Sequence, residues 1–524
     1  MKRGSLLLTL FVAAFGAACG NSGSSTTPPP PVGGFSNSSL KGQYAFIMSG
    51  QAPDGFIARV GSFTADGINS ITGGVEIVST TTAGLQQLSF QQSSYQVNAD
   101  GRGAINLTNL TGTFSLSVTM ISTTKGYLAQ TDGVTTTSGT FELQDTSAFT
   151  ANALSGSFAF DNSGLDGSGN PDSIVGQIVL NAGVVQGGVY DENAGAVASG
   201  PVPITNGTLS ISDATNGLGS LKFNNSFQYA FVAVNSTKLH MIEVPTTGGS
   251  LPVTVGTANA QVAPPADNAA FTGNFVFLIS GVGTHSSNVK AGRFTSDGAG
   301  GLNTSSLALD DKQLGSAITQ IPSGSLSNAI YTIDTSFPGS GRGVVTFKDS
   351  SKGTFTFIFY MRSASEGVIQ DNSPNLVGDG AIMAQTGAPF TNASLANDYA
   401  FNWSGVSTNS TNGVTAGEDF VGHVKITSAT SGNVTGAMDF SELNSNQGAF
   451  HDSVLSGDLT IEGDGTNSSA PRSGVTITAA GTNGGPSATF KFTVYVVSPQ
   501  TIFVVSQDTD RVTSGAFTAQ VTPP

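Results

Sequence analysis

Apolar and polar residues alternate with a period of two along nearly all of the chain beyond residue 40, as a strand with one buried face requires. In the first part of that stretch the runs Gln43–Met48, Ala58–Thr64, Gly73–Ser79, Leu85–Val97, Gly103–Thr108, Thr113–Ser122, Gly126–Gln130 and Gly139–Gln144 predict eight strands. Asp66-Gly67, Asp100-Gly101 and Asp132-Gly133 punctuate them as tight turns, since Gly takes positive φ at no steric cost. No later stretch sustains a helical period.

The pattern then repeats. A phrase with an apolar residue, a Gly or Asn, aromatic-x-Phe and Ser-Gly reads Leu40-Gly42-Tyr44-Phe46-Ser49-Gly50 and Leu154-Gly156-Phe158-Phe160-Ser163-Gly164. It returns as Phe271-Gly273-Phe275-Phe277-Ser280-Gly281 and Leu395-Asn397-Tyr399-Phe401-Ser404-Gly405. Spacings of 114, 117 and 124 residues suit a whole small domain rather than a solenoid unit. A closing phrase, Gly followed five residues on by Gln, ends each copy: Gly139/Gln144, Gly256/Gln261, Gly380/Gln385 and Gly515/Gln520. Four domains follow, 40–147, 154–262, 271–386 and 395–521, joined by the linkers Asp145–Ala153, Val262–Ala270 and Thr386–Ser394. The third copy keeps Asp297-Gly298 and Gly341-Arg342-Gly343 where the first has Asp66-Gly67 and Gly101-Arg102-Gly103.

Eight short strands with tight turns describe an antiparallel meander, and such a sheet must hide its edges. Closing the first strand on the last does so, along the opening and closing phrases. The expected fold is all-β, four tandem eight-stranded up-and-down barrels of avidin or lipocalin type. Immunoglobulin-like sandwiches are the alternative, because strand number and length do not separate the two.

Composition changes the picture by exclusion. Only 10% of residues are charged, so Ser, Thr, Asn, Gln and Gly must cover the surface, as in exported β-proteins, while 33 Phe supply the cores. The net charge of −15, with no basic cluster, makes nucleic acid a poor partner. The one cysteine, Cys19, excludes an intrachain disulfide.

Its position carries chemistry. Lys2-Arg3, the apolar run Leu6–Ala14 and the small residues Gly16, Ala17 and Ala18 lead into Cys19 and predict a signal peptide over 1–18. The segment resembles a bacterial lipoprotein signal, in which that cysteine receives the lipid; Gly16 stands where Leu, Val or Ile is usual. Residues 19–39, with Pro28-Pro29-Pro30-Pro31, read as a tether able to reach up to roughly 60 Å from an anchor. Signal, tether and repeats together resemble the uncharacterised bacterial lipoproteins built from tandem β-domain repeats. That resemblance implies a membrane partner through the N-terminal lipid, a cell-envelope location and no particular activity.

Candidate sites are few. His240, His285, His423 and His451 occupy non-equivalent places and form no metal-ligand or nucleophile motif. Asp132, Glu243, Asp371 and Asp508 lie near the seventh strand of each copy and read as turn caps. Asp161–Asp172 superficially matches a calcium loop but misses the EF-hand register and its closing Glu. Tyr44, Phe46, Phe63 and Phe114, with Tyr399, Phe401, Val424 and Phe490, are expected to fill the barrels rather than line a ligand cup. Trp403 falls on the face of Phe401. No catalytic, metal or cofactor residue is assigned. The expected function is a non-catalytic, lipid-anchored envelope protein, a multivalent binding or adhesive stalk for an extracellular or envelope ligand. A carrier of small apolar ligands in barrel cavities is the alternative, and a secreted polysaccharide hydrolase a remote one.

Overall fold

A computed structural model describes residues 34–523 apart from 246–250, 284–286, 322–324, 375, 409–414, 428–431, 444–448, 462–471 and 481–487. The signal peptide, Cys19, most of the tether and His285 lie outside the described residues.

The alternating runs of the first copy form β1 (Lys41–Ala52), β2 (Gly55–Asp66), β3 (Ser70–Thr80), β4 (Gly84–Ser89), β5 (Ser93–Val97), β6 (Arg102–Asn109), β7 (Gly112–Ser122), β8 (Lys125–Gln130) and β9 (Thr136–Leu143). Successive strands pair antiparallel except β4 with β5, which both pair with β3, and β1 pairs with both β2 and β9, so the sheet closes. The expected fourth strand, Leu85–Val97, is broken into β4 and β5. Phe90 at the break is buried in the barrel core, and its N–H bonds the Gly74 carbonyl. β4 pairs with the outer half of β3, and β5 rejoins the barrel through Ile71↔Ser93.

Barrel 2 runs from Gly156–Leu165 to Val253–Ala260 with the same closure, completed by Val184↔Thr208. Barrel 3, from Thr272–Gly283 to Leu376–Ala384, is spanned at its remaining gap by a bridge of Gly301 to Ile330. Barrel 4, Asn397–Thr408 to Arg511–Ala519, is a fully closed eight-stranded barrel. The architecture is four antiparallel barrels, not sandwiches.

Their interiors explain the opening phrase. Leu40, Leu154, Phe271 and Leu395 are fully buried in the four cores, with the aromatic-x-Phe pair beside them. Phe46, Phe160, Phe277 and Phe401 each lie against a glycine of the second strand, Gly61, Gly176, Gly292 and Gly422. A Cβ there would sit 2.5–2.6 Å from the ring's Cζ, so only glycine lets the ring lie flat on the sheet. Trp403 is completely buried and stacks on Phe401 at 4.1 Å between centroids. The aromatic positions read as core are core, and the barrels are filled by their own side chains.

The four barrels do not form a string. Each closing Gln keeps its backbone N–H on the opening strand of its own barrel and sends its side chain into the next. Gln144 Nε2 donates to the Ala233 and Asn216 carbonyls, Gln261 Nε2 to Ser340 and Met361, and Gln385 Nε2 to Val496. Gln520 Nε2 donates to Asp100 and Met120 of barrel 1 and so closes a ring. The residue after each Gln repeats the step, from Asp145 N to Val234 O, Val262 N to Arg362 O, Thr386 N to Val497 O and Val521 N to Ile121 O. The expected stalk is therefore corrected to one compact ring, because every linker starts docked on the following barrel.

Candidate functional site

In barrel 1, β2 and β3 pack toward barrel 2 and β7 to β9 toward barrel 4, and β1 and β9 also line a cavity shared with barrels 2 and 3 on the ring's axis. The Ser-Gly of each opening phrase sits there. The glycine is required: a Cβ on Gly50, Gly164, Gly281 or Gly405 would come within 2.0–2.1 Å of a backbone carbonyl of the closing strand. Two of the serines, Ser163 and Ser280, bond between barrels. Ser280 Oγ and Ser514 Oγ are 2.7 Å apart, and the Ser163 hydroxyl bonds Asp379 of barrel 3.

A cavity of about 490 Å³ opens where barrels 1, 2 and 3 meet on this axis. Ile47, Met48, Phe56 and Val377 give it an apolar wall, and Ser49, Ser138, Asp161 and Asp379 a polar one. Burial, together with the charge of Asp161, pushes the Asp379 carboxyl up to about 7 against the Ser163 hydrogen bond. Burial raises Asp161 as well, opposed by a 2.7 Å bond from Thr257 Oγ1 and by Lys238. Two carboxyl groups in one low-dielectric site resist joint ionisation, so the pair can both donate and accept hydrogen bonds near neutral pH. Such a wall suits a hydroxyl-rich or cationic ligand. A wider, shallow hollow of about 850 Å³ on barrel 1 is lined by neutral polar residues including Gln92, Ser94 and Asn106.

The interfaces between barrels use one position in several ways. The third strand of barrel 2 offers Asp191, which takes a bidentate pair from Arg342 of barrel 3 at 2.7 and 2.8 Å and the Tyr360 hydroxyl at 2.6 Å. Between barrels 3 and 4 the same register holds Asp310, bonded by the Tyr495 hydroxyl at 2.8 Å. Between barrels 4 and 1 it holds Asp439, 3.8 Å from Arg102, whose shorter bond of 2.8 Å goes to Asp452. Between barrels 1 and 2 it holds Ile77, packed with Leu218 and Val232. The shared Gly-Arg-Gly of copies 1 and 3 was visible in the chain; its carboxylate partners, 151 residues away for Asp191 and 350 for Asp452, were not.

The histidines stand apart. His240 is fully buried between barrels 1 and 2, and burial, then Lys238, lowers it to about 4. His423 Nε2 lies 3.1 Å from Asp398, while His451 faces Asp439 beside a cavity of about 290 Å³ at the junction of barrels 4 and 1. Asp132 accepts the N–H groups of Val134 and Thr135, and Asp371 that of Ser373, as turn caps do, whereas Asp508 accepts that of Lys491 on another strand. Glu243 differs: it accepts the Thr254 hydroxyl inside barrel 2. In the calcium-like loop Asp166 is occupied by Ser168 and Asn170 of its own turn, while Asp161 faces barrel 3. Among the described residues no three His, Cys, Asp or Glu converge as metal ligands.

The fold and site together define a four-barrel, all-β protein. No protein-family model matches the chain, and no curated protein matches it either. Among solved structures it is loosely similar to isotype 1 transferrin binding protein B from serogroup B Neisseria meningitidis, at 10% identity over 76% of this chain and 84% of that one, with a TM-score of 0.18. A mutant of the vaccine antigen transferrin binding protein B from Haemophilus parasuis Hp5 gives 9% identity over 76% of this chain and 82% of that one, with a TM-score of 0.18. Superpositions this loose carry neither residues nor activity across.

Proposed function

We propose that the chain is a non-catalytic, lipid-anchored binding protein of the bacterial cell envelope, whose four barrels form one rigid platform for an extracellular or envelope ligand. One observation carries this reading: what recurs in all four copies is used in construction. The Phe builds cores, the Ser-Gly lets strands crowd the axis, and the Gln clasps the next barrel. A repeated catalytic unit would instead repeat paired polar groups with shifted pKa values. A ring held by such clasps presents its surfaces in fixed relation, which lowers the ordering cost of binding.

The hydrolase reading has one observation in its favour, the Asp161–Asp379 pair in the axial cavity. Both carboxyls already bond side chains, Thr257 within barrel 2 and Ser163 across the interface, which fits a joint better than a reacting pair. Anchoring is tested by fractionation: the full chain sediments with membranes, and Cys19→Ala moves it to the soluble exported fraction. A wild-type protein found only in the soluble fraction refutes the anchor. Turnover of a polysaccharide that disappears in Asp161→Asn/Asp379→Asn refutes the non-catalytic reading.

A further inference from the structure

Toward one end, the interiors of three barrels hold charge in matched pairs. In barrel 3 Lys290, with no exposed surface, reaches Asp371 at 2.8 Å and Asn288 at 3.0 Å, while Asn288 bonds Asp311. In barrel 1 Arg59 bonds Glu76 at 2.7 Å, with its guanidinium 4.7 Å from the Phe114 ring centroid. In barrel 4 Arg511 bonds Glu418 at 3.1 Å and lies 4.6 Å over Phe490. A buried carboxylate needs such a partner.

Barrel 2 keeps the acids and changes the cation. Strand register puts Asp172 at the place of Asn288, Glu192 at that of Asp311 and Glu243 at that of Asp371. It puts Ile174 at the place of Lys290 and of Arg59. Residues 154–262 contain two cations, Lys222 and Lys238. Lys222 is exposed between the inward Leu221 and Phe223, and Lys238 bonds Glu142 of barrel 1. On the same inner face Asn162, opposite Ile174 and 1% exposed, has no hydrogen-bond partner on either amide atom. The Tyr229 hydroxyl, opposite Glu243 and fully buried, has none either. Phe227 stands at the register of Phe114 and Phe490, the two rings that carry guanidinium groups. Glu192, Phe227 and Glu243 are only half-buried, so this end is open to solvent. Burial and the neighbouring Glu192 and Glu243 push Asp172 up to about 8.

We propose that this end of barrel 2 binds an organic cation of the primary-amine or guanidinium class. Its N–H groups are accepted by Asp172, Glu192, Glu243, the Asn162 carbonyl and the Tyr229 oxygen, and its charge lies against Phe227. The sister barrels specify the class, because each sets an ammonium or a guanidinium against its buried acids at this end. A bare divalent ion fits less well, since the three carboxylates do not converge as metal ligands.

Agmatine carries both groups and is the probe, titrated calorimetrically into the full chain. One saturable site per chain is expected. Glu243→Gln weakens binding about tenfold or more, as does Ile174→Arg, which supplies an internal guanidinium. Tyr229→Phe keeps the ring and removes one acceptor, so it tests the site with the least risk to folding; a severalfold loss is expected. The proposal is overturned if wild-type protein shows no saturable heat with agmatine. It is equally overturned if Glu243→Gln and Tyr229→Phe bind as wild type does, or if calcium chloride saturates the site and agmatine does not.

Discussion

The junction of barrels 1 and 2 and the junction of barrels 4 and 1 are built from equivalent strands, yet they are made of different material. At the first, Ala58, Val60, Ile77, Leu218, Val232 and Val255 form a continuous apolar cluster, flanked by the Lys238–Glu142 pair and the Ser62–Asn216 bond. At the second, Arg102 faces Asp439 and Asp452, Tyr127 bonds Thr518 at 2.8 Å, the Ser138 hydroxyl bonds Asp419, and Thr119 stands where barrel 2 has Val232. The first junction has a linker, Asp145–Ala153, holding its partners together; the second is closed without one. A linker raises the effective concentration of its two partners, so an apolar, weakly directional contact suffices there. An unlinked junction must recognise its partner by position, and directional polar bonds do this at low net stability. The ring is therefore expected to be strong along the chain and weakest where its ends meet.

The largest effects test whether the barrels stand by themselves. Phe277→Ala removes a fully buried ring from barrel 3 and should cost about 3–5 kcal/mol in chemical denaturation, more than any junction variant. A loss under about 1 kcal/mol would mean that the interior is not a packed core.

Next come the two arginines at one register position. Arg342→Ala leaves Asp191, 1% exposed, without its bidentate partner and should cost about 3 kcal/mol. Arg102→Ala should cost about 1 kcal/mol or less, because its closest partner across the junction, Asp452, has 69% of its side chain exposed. Equal losses would remove the distinction between junctions.

The glutamine clasps sharpen it further. Gln520→Ala and Gln144→Ala each remove two bonds to carbonyls of the next barrel, worth about 1–2 kcal/mol together. Only Gln520→Ala should open the ring, read as a larger radius of gyration in solution scattering. Expansion by Gln144→Ala alone would invert the proposed order of strength.

The smallest effect is one of pH. His240 is held below its ordinary value, so its contribution to the first junction is present above about 6.5 and is lost as pH falls toward 4. His451 is raised by its hydrogen bond to Asp439, so its contribution is complete below about 6.5 and is lost as pH rises through its folded value. Burial also raises Asp419, which favours the second junction in its protonated form. Between pH 7.5 and 5.5, hydrogen-exchange protection, corrected for intrinsic rates, should fall in 229–243 and rise in 417–422. Parallel changes in both segments would show that these groups do not govern the junctions.

Much of each barrel is legible in the chain, because local alternation and turn chemistry act over a few residues. The break at Phe90 is not, since it depends on where the strand crosses its neighbours. Gly61, Gly176, Gly292 and Gly422 escape notice for a similar reason: hairpins of different length separate each from its Phe, and only the paired register aligns them. The acids of barrel 2 also looked unremarkable. Glu243 reads as one more turn residue until register sets it against Tyr229 and Asn162 is found on the same inner face.

By itself, then, the sequence determined four antiparallel all-β domains, since period-two burial and edge protection leave a meander few other solutions; strand pairing in the folded chain separated barrels from sandwiches. It also carried the opening and closing phrases that recur in every copy. Only the tertiary structure decided that the barrels form a ring. Whether head-to-tail steps close after four copies depends on the rotation at each junction. That rotation is set by contacts such as Arg342 with Asp191 and Gln520 with Met120, between residues 151 and 400 positions apart, where no local pattern reaches.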